Sequence, residues 1–166
     1  ASITDEIFGP FPQTPRPEPA KVSDDELAKL AGIWRNEKTH APARFIIENG
    51  VSRWSGGRVI PMGGGKFVGG NNELKFTFDK DGKPVSAETI DGGGEVTRFV
   101  PEHQWTPTPE DLAFFGGDWF SEEAGATFTV AVDGDKVFIK QRPATSLPMQ
   151  PLYKDHFDAQ GFILWF

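Results

Sequence analysis

The sequence predicts an all-β protein made of two tandem small antiparallel up-and-down β-barrels, each preceded by a short capped helix. Three observations lead to this fold class. One phrase is written twice, as LAKLAGIWRNE from Leu27 and as LAFFGGDWFSE from Leu112. Apolar and polar residues alternate in short runs that end at Asn-Gly or Asp-Gly, the strongest short-range signal for a β-hairpin. The chain also contains 19 Gly, 14 Pro and 15 Phe, which suits short strands and tight turns.

The first 21 residues are predicted to lie outside the barrels. Residues 9–20 read GPFPQTPRPEPA, a Pro-rich run that favours extended polyproline geometry and acts as a semi-rigid spacer. The eight residues before it are either the tail of a preceding domain or a leader without fixed structure. The predicted boundaries are 1–21 for this tail and linker, 22–103 for the first barrel repeat and 104–166 for the second, which is incomplete at its C-terminal end.

Each repeat opens on a short helix with a capping box. Ser23 is the expected N-cap of the first helix, and Glu26 at the third helical position reaches back to it. In the second repeat Thr108 takes the cap position and Asp111 the third helical position, with Pro109 at the first. Glycines are expected to stop both helices within about two turns. These glycines are Gly32 in the first repeat and Gly116 and Gly117 in the second.

The repeat continues through the strands, of which each copy is expected to hold roughly eight. The offset between matched residues grows from 85 at Trp34 and Trp119 to 90 at Phe67 and Phe157, as loop insertions would cause. The other matched segments are Ile60-Pro61-Met62 with Leu147-Pro148-Met149, and Phe76 with Phe166. A small antiparallel sheet of this size usually closes on itself because closure removes its edges.

The second repeat has no counterpart of residues 77–100, which hold the last strands of the first. In the first repeat the expected inward positions of these strands are Phe78, Val85, Val96 and Phe99. In the second, an unclosed apolar seam is expected along Phe157, Phe162, Leu164 and Phe166. We expect this seam to be completed from outside the repeat. The two candidates are residues 1–12, with Ile3, Ile7 and Phe8 as apolar anchors, and the same edge of a second chain in a homodimer.

Composition and motif spacing argue against several functions. The net charge of −7 argues against a nucleic-acid-binding surface, and no apolar run approaches the ~20 residues that span a membrane. Cysteine is absent, so there is no thiolate chemistry. His40, His103 and His156 show no metal-ligand spacing. There is no Gly-x-Ser-x-Gly, no Ser-x-x-Lys and no phosphate-binding glycine loop followed by a helix. We therefore assign no catalytic residue, no metal and no cofactor.

The tryptophans divide into repeated and unrepeated ones. Trp34 and Trp119 occupy matched positions at the start of a first strand, where a Trp more often closes the end of a barrel core than stacks on a ligand. Trp54 is unrepeated and lies in the arginine-flanked stretch SRWSGGR, so it is the aromatic most expected to face solvent or a partner. Trp54, Arg53 and Arg58 are the candidate contacts to a ligand or partner.

The stretch from Trp105 to Phe157 resembles the C-terminal repeat region of bacterial serine hydrolases of the beta-lactamase/D-aminopeptidase superfamily. The motifs that carry the resemblance are Asp111-Leu112, Gly117-Asp118-Trp119, Ser121-Glu122-Glu123, the strand from Phe128 to Val132, Asp133-Gly134, Pro151-Leu152 and Asp155-His156-Phe157. It extends more loosely over 23–166, and it departs from the family pattern in having Trp for Tyr and in lacking the final strands. The resemblance implies a pair of lipocalin-like barrels behind a catalytic domain that holds the nucleophile and base, and a periplasmic or secreted location.

Two functions compete on this basis. The first is a non-catalytic accessory β-barrel region of a serine hydrolase, which modulates active-site access or assembly and has the catalytic domain as its partner in cis or trans. The alternative is a stand-alone lipocalin-like protein that binds a small molecule in a barrel mouth. The Phe-rich composition favours the first, because a barrel of about 80 residues is expected to fill its interior with its own side chains.

Overall fold

The structure, a computed structural model, describes residues 18–142 and 145–166. Two short helices each precede a β-sheet: α1 (Asp24–Leu30) and α2 (Pro109–Ala113). The first sheet contains β1 (Gly32–Asn36), β2 (Pro42–Glu48), β3 (Val51–Trp54), β4 (Gly57–Arg58), β5 (Ile60–Gly63), β6 (Lys66–Gly69), β7 (Asn72–Phe78), β8 (Pro84–Ile90) and β9 (Val96–Glu102). The second contains β10 (Gly117–Ser121), β11 (Ala126–Asp133), β12 (Lys136–Arg142), β13 (Thr145–Pro151), β14 (His156–Ala159) and β15 (Phe162–Trp165).

The first sheet is a nearly closed up-and-down barrel. Its nine strands are ordered β4-β3-β2-β1-β9-β8-β7-β6-β5. Strands consecutive in sequence pair antiparallel, with the exception of β4 and β5, and β9 returns to pair with β1. The remaining seam lies between β4 and β5. There the N–H of Val59 donates to the carbonyl of Ser52 at 2.9 Å, which draws the two ends of the sheet together.

The second sheet is a half-barrel of six strands, ordered β10-β11-β12-β13-β14-β15. Two β-barrel units in tandem, each preceded by a capped helix, confirm the predicted fold class. The strand number differs from the expected eight in both units, at nine and six. In the second barrel a single strand, β13, pairs with both β12 and β14. It takes the place of both β4 and β5, so the second sheet has no seam at this position.

Strand register fixes how the two barrels correspond. Pro61 pairs with Phe67 in the first barrel, and Pro151 pairs with Phe157 in the second. The counterpart of Pro61 is therefore Pro151, and the expected match to Pro148 is wrong by three residues. The sequence SLPMQPLY contains two prolines three residues apart, Pro148 and Pro151. The strand pairing of β13 with β14 is needed to identify Pro151 as the counterpart of Pro61.

Both predicted capping boxes are present. The side chain of Ser23 accepts from the N–H of Glu26, and Thr108 does the same for Asp111, with Pro109 at the start of α2. In return each acidic side chain accepts from the backbone N–H and the hydroxyl of its cap residue. These hydrogen bonds, backbone first, lower the pKa of the Glu26 and Asp111 carboxyls.

Aromatic side chains fill the first barrel. Phe45, Phe67 and Phe76 are at most 2% exposed and meet edge to face with ring centroids 5.2–5.6 Å apart. Trp34 is also 2% exposed, and its indole Nε1 donates to the carbonyl of Leu30 at the end of α1. Trp34 therefore closes the helix end of the core, as predicted.

Of the four inward positions expected on the last strands of the first barrel, only Phe99 is buried. Phe78, Val85 and Val96 are 38%, 41% and 50% exposed. Val96 lies three residues from Phe99, so the two side chains point to opposite faces of β9. A register shift between Thr77 and Phe78 changes which side chains point inward at the end of β7 and at the start of β8. The buried residues of β8 are Pro84 and Ala87.

The glycine that opens each first strand should be needed for its backbone angle alone. Gly32 and Gly117 have φ of +143° and +122°, and a Cβ at either would meet nothing within 4 Å. We expect Gly117→Ala to lower the free energy of unfolding by about 1–3 kcal/mol through backbone strain. Its neighbour Gly116, where φ is ordinary and a Cβ makes only normal contacts, is the control, and Gly116→Ala should change stability by less than about 0.5 kcal/mol. Equal urea-unfolding midpoints for the two variants would contradict this assignment.

Candidate functional site: the open side of the second barrel

The three residues predicted to contact a ligand or partner do not form one site. Trp54 is half-buried and packs on the core of the first barrel, with its ring centroid 5.1 Å from that of Phe99 and 6.0 Å from that of Phe76. The expectation that it faces solvent is wrong, because the alternation of β3 turns it inward. Any role of Trp54 in binding stays a prediction.

Arg53 and Arg58 are cross-strand neighbours on β3 and β4. The Nε of Arg53 lies 3.2 Å from a carboxylate oxygen of Glu48 without hydrogen-bond geometry, while Nη1 donates to the carbonyl of Gly56. Arg58 is exposed and, among the described residues, has no carboxylate within 4.0 Å. Neither residue lines the cavities described below, so their role as contacts also stays a prediction.

A concave feature lies where the second barrel fails to close. Within residues 18–142 and 145–166, β10 pairs only with β11 and β15 only with β14. A cavity of about 620 Å³ lies between these two end strands; we call it the slot. Its lining includes Trp119 and Phe120 of β10, Val130 and Ile139 of the sheet behind it, and all of 162–166. The slot is therefore an apolar groove bordered by two strand edges.

The slot corresponds in part to the unclosed seam predicted from the sequence. Phe162 is 69% exposed, and Leu164 and Phe166 are half-buried along the slot. Phe157 is fully buried and belongs to the core, so its placement on the seam was wrong. The predicted donor segment 1–12 lies outside the described residues. Trp119 was predicted to close the end of a barrel core, and it lines the slot; the lack of a counterpart to 77–100 was the signal that could have placed it there.

One end of the slot is acidic. Glu122 and Glu123 follow β10 in its turn and line the slot, and both are exposed. Apart from these two carboxylates the lining side chains are apolar or hydroxyl-bearing. The site can therefore take an apolar strand surface with a basic group at one end.

A second cluster joins the two barrels. Ile33 of β1 packs with Leu152 and Tyr153, which precede β14, and all three are less than 9% exposed. The hydroxyl of Tyr153 donates to the carbonyl of His40. The rings of His40 and Trp165 stack with centroids 4.3 Å apart. These contacts place the end of β15 against the first barrel.

Two histidines in this junction share a hydrogen bond. The Nδ1 of His40 lies 2.7 Å from the Nε2 of His156, whose own Nδ1 lies 2.8 Å from the carbonyl of Lys154. A carbonyl only accepts, so Nδ1 of His156 carries a proton, and the direction of the hydrogen bond between the two rings depends on their tautomers. Burial first, then the neighbouring charges of His156 and Arg35, lower the pKa of His40. Among residues 18–142 and 145–166, neither ring forms a hydrogen bond with a hydroxyl group that it could activate as a base.

Tyr153, the only tyrosine of the chain, should titrate abnormally. Burial, before any charge nearby, raises its pKa to about 12. Spectrophotometric titration of tyrosinate should give a midpoint about two units above the 10.0 of a free phenol, and the urea-unfolded chain should return to that value. Because the folded-state pKa is raised, the contribution to stability is present below pH 10 and is lost as the pH rises towards 12. A midpoint near 10 in the folded protein would show that the barrel junction is open.

A smaller cavity lies at the α1 end of the first barrel. It measures about 440 Å³, and Lys21, Lys29 and Lys66 surround an apolar floor that includes Leu30 and Phe67. Gly65 and Phe78 also line it, and a Cβ at Gly65 would lie 2.7 Å from the Phe78 ring. Glu26 lines it too, so in a chain with a net charge of −7 this mouth carries three lysines and one glutamate.

The described residues contain no group of three or more His, Cys, Asp or Glu side chains placed to hold a metal ion. No helix in the same part of the chain is both long and apolar enough to cross a membrane. No family model, curated protein or solved structure matches this chain.

Proposed function

We propose that this chain is a non-catalytic accessory β-barrel region of a serine hydrolase of the beta-lactamase/D-aminopeptidase type, and that it modulates active-site access or assembly by binding protein. The observation that carries the proposal is the slot, an apolar groove bordered by the edges of β10 and β15. The motif resemblance between Trp105 and Phe157 supports the choice of enzyme class.

A polypeptide suits the slot better than a small molecule does. Each strand edge presents a row of backbone N–H and C=O groups that attract another strand. A small apolar ligand would cover the half-buried side chains of Leu164 and Phe166 but would leave these backbone groups without partners. An added strand would satisfy them and place alternate side chains in the groove. The site therefore favours a protein partner.

Two tests address this function. The isolated chain should not turn over D-amino-acid amides, short esters or a chromogenic beta-lactam. The natural gene should join or adjoin a reading frame for a hydrolase domain with a Ser-x-x-Lys nucleophile motif, and removal of residues 18–166 should change that enzyme's KM, substrate range or assembly. Turnover by the chain that vanishes on replacing one of its serines would contradict the proposal, and so would an enzyme that is unaffected by the removal.

The basic mouth of the first barrel supports a second candidate function, the binding of an anionic amphiphile. Its three lysines could pair with a carboxylate or phosphate while Leu30 and Phe67 contact an apolar tail. A fluorescent fatty acid should bind saturably, and the double variant Lys29→Glu/Lys66→Glu should abolish binding. The control is Lys136→Glu on β12, away from this cavity. Equal binding by the variant and the control would exclude this candidate.

A further inference from the structure

The two barrels meet at a pair of histidines that come from opposite sides of their junction. His40 lies in the turn between β1 and β2, and His156 is the first residue of β14. Their ring centroids are 5.0 Å apart with an interplanar angle of 21°, and Nδ1 of His40 lies 2.7 Å from Nε2 of His156. This separation of two nitrogens is that of a hydrogen bond, so one hydrogen lies between them.

Backbone turns hold both rings at this contact. His40 has φ of +58°, a left-handed conformation that histidine adopts more often than most residues, and its N–H donates to the carbonyl of Asn36 at 3.0 Å. His156 donates its N–H to the carbonyl of Tyr153 at 2.9 Å, and its Nδ1 lies 2.8 Å from the carbonyl of Lys154. Each ring is therefore positioned by the turn that carries it, with one turn in each barrel.

A count of protons limits the charge that this contact can carry. A neutral imidazole has one N–H and a charged imidazole has two. When neither ring or only one ring is charged, a single hydrogen can lie between Nδ1 of His40 and Nε2 of His156. When both rings are charged, both of these nitrogens carry a hydrogen, and they cannot stay 2.7 Å apart. The closed junction therefore holds at most one charged ring of the pair.

No neighbouring carboxylate neutralises a second charge on the pair. The other titratable groups nearest the two rings, in space or in sequence, are Arg35 of β1, Lys38 of the β1–β2 turn, Glu102 of β9, and Tyr153, Lys154 and Asp155 of the turn before β14. Glu102 is already paired with Arg35, at 2.8 Å. Among the described residues, no carboxylate oxygen lies within 4.0 Å of a nitrogen of either ring.

The remaining neighbour, Trp165 of β15, can accept one charge but not two. Its ring stacks on that of His40 at a centroid distance of 4.3 Å, where an indole face attracts a cation. Its centroid is 6.4 Å from that of His156, beyond the usual range of this attraction. The surroundings thus agree with the count of protons: one charge is tolerated and a second is opposed.

We propose that His40 and His156 form a proton-operated latch, which holds the end of β15 against the first barrel while at most one ring is charged and releases it when both are charged. The only reaction is the uptake of a proton from solvent by the second ring. Trp165 stacks on His40 and also lines the slot, so opening the latch frees one border of the slot. The latch stands on the junction geometry alone and does not depend on the proposed function.

The pH range of the latch follows from the direction in which the junction shifts His40. Burial, before the charges of His156 and Arg35, lowers the pKa of His40 below its ordinary value of 6.5. In an open junction His40 regains that ordinary value, so opening takes up a proton below pH 6.5. The contribution of the latch to stability is therefore complete above pH 6.5 and is lost as the pH falls below it. Uptake of one proton raises the ratio of open to closed junction about tenfold per pH unit.

The test measures the distance between the two barrels of the full chain as the pH falls. Because the chain has no cysteine, Lys75→Cys on β7 and Lys140→Cys on β12 place one spin label at an exposed position of each barrel. Double electron–electron resonance should give one narrow distance at about pH 7.5. A second, broader population should grow towards about pH 5, by about tenfold per pH unit relative to the first, while the far-UV circular dichroism stays constant.

The three histidines of the chain provide the variants and their control. His40→Asn keeps a hydrogen-bonding side chain that tolerates the left-handed region but does not titrate, so it should abolish the pH dependence whether its labels report one distance or two. His156→Gln should do the same. His103→Gln is the matched control and should keep the full pH dependence, because His103 is exposed and, within the described part of the chain, forms no hydrogen bond with either ring.

Four results would overturn the latch. The first is a distance distribution that is the same at both pH values in the labelled chain with all three histidines. The second is a pH dependence that survives in His40→Asn, and the third is its disappearance in His103→Gln. The fourth is a loss of circular dichroism over the same pH range, because the barrels themselves would then unfold. None of these outcomes depends on whether the chain acts with a hydrolase, so the latch and the proposed function can fail separately.

Discussion

Replacing Phe157 by Ala should lower the free energy of unfolding of the second barrel by about 3–5 kcal/mol. Phe157 is 0% exposed and contacts three aromatic rings, those of Trp105, Phe115 and Phe166, at centroid distances of 5.1–5.8 Å. Truncation would remove apolar contacts and leave a cavity that a sheet of six strands cannot collapse around without losing its register. Urea unfolding followed by circular dichroism measures the change.

The control for this prediction lies five residues further along the chain. Phe162 is 69% exposed at the edge of β15, so Phe162→Ala should change stability by less than about 0.5 kcal/mol. A loss of several kcal/mol in Phe162→Ala would mean that the slot is covered in the free chain. An unchanged midpoint for Phe157→Ala would mean that the second barrel has no fixed core.

Gly65→Ala should destabilise the first barrel by roughly 2–4 kcal/mol. This is the sum of the cost of a left-handed backbone conformation for alanine and the cost of an overpacked contact. Gly65 has φ +77°, and a Cβ would lie 2.7 Å from the ring of Phe78 and 2.9 Å from the carbonyl oxygen of Phe76. The Phe78 ring can move because it is 38% exposed. The carbonyl of Phe76 cannot move in the same way, because it belongs to β7, which is paired with β6 on one side and with β8 on the other.

Gly64 separates the two contributions to this effect. It has φ +60° in the same loop, but a Cβ there would meet nothing within 4 Å. Gly64→Ala should therefore cost only about 1 kcal/mol, the backbone part. If thermal unfolding gives the same loss for Gly64→Ala and Gly65→Ala, the close approach of the β5–β6 loop to β7 is absent in solution.

The parts of the fold that local chemistry determines could be predicted from the sequence. A capping box depends only on residues three positions apart at the start of a helix. The boxes of Ser23 with Glu26 and of Thr108 with Asp111 therefore predicted both helices. Asn49-Gly50 makes a two-residue hairpin turn with φ of +51° and +74°, because both residues tolerate the left-handed region. The duplication then indicated two barrels without any knowledge of strand pairing.

The errors occurred where strand facing depends on distant pairing. Alternation gives the two faces of a strand but not which face is inward, and one register shift near Phe78 exchanges them. The polar neighbours Arg53 and Ser55 suggested that Trp54 faces solvent. Its pairing opposite Phe45 instead directs its side chain onto the core. The barrel junction at His40, Tyr153 and His156 joins residues more than 100 positions apart, and no local pattern in the sequence reports such contacts.

Amide hydrogen exchange of the free chain tests most directly whether the second barrel is open on one side. The β10 and β15 amides directed away from β11 and β14 should exchange at rates close to those of an unfolded chain. The matched amides of β1 and β7, which are covered by β9 and β8, should be protected to the level of the barrel core. If the matched amides of the two barrels were equally protected in a dilute monomer, the second barrel would not be open on one side, because the slot would then already hold paired strands.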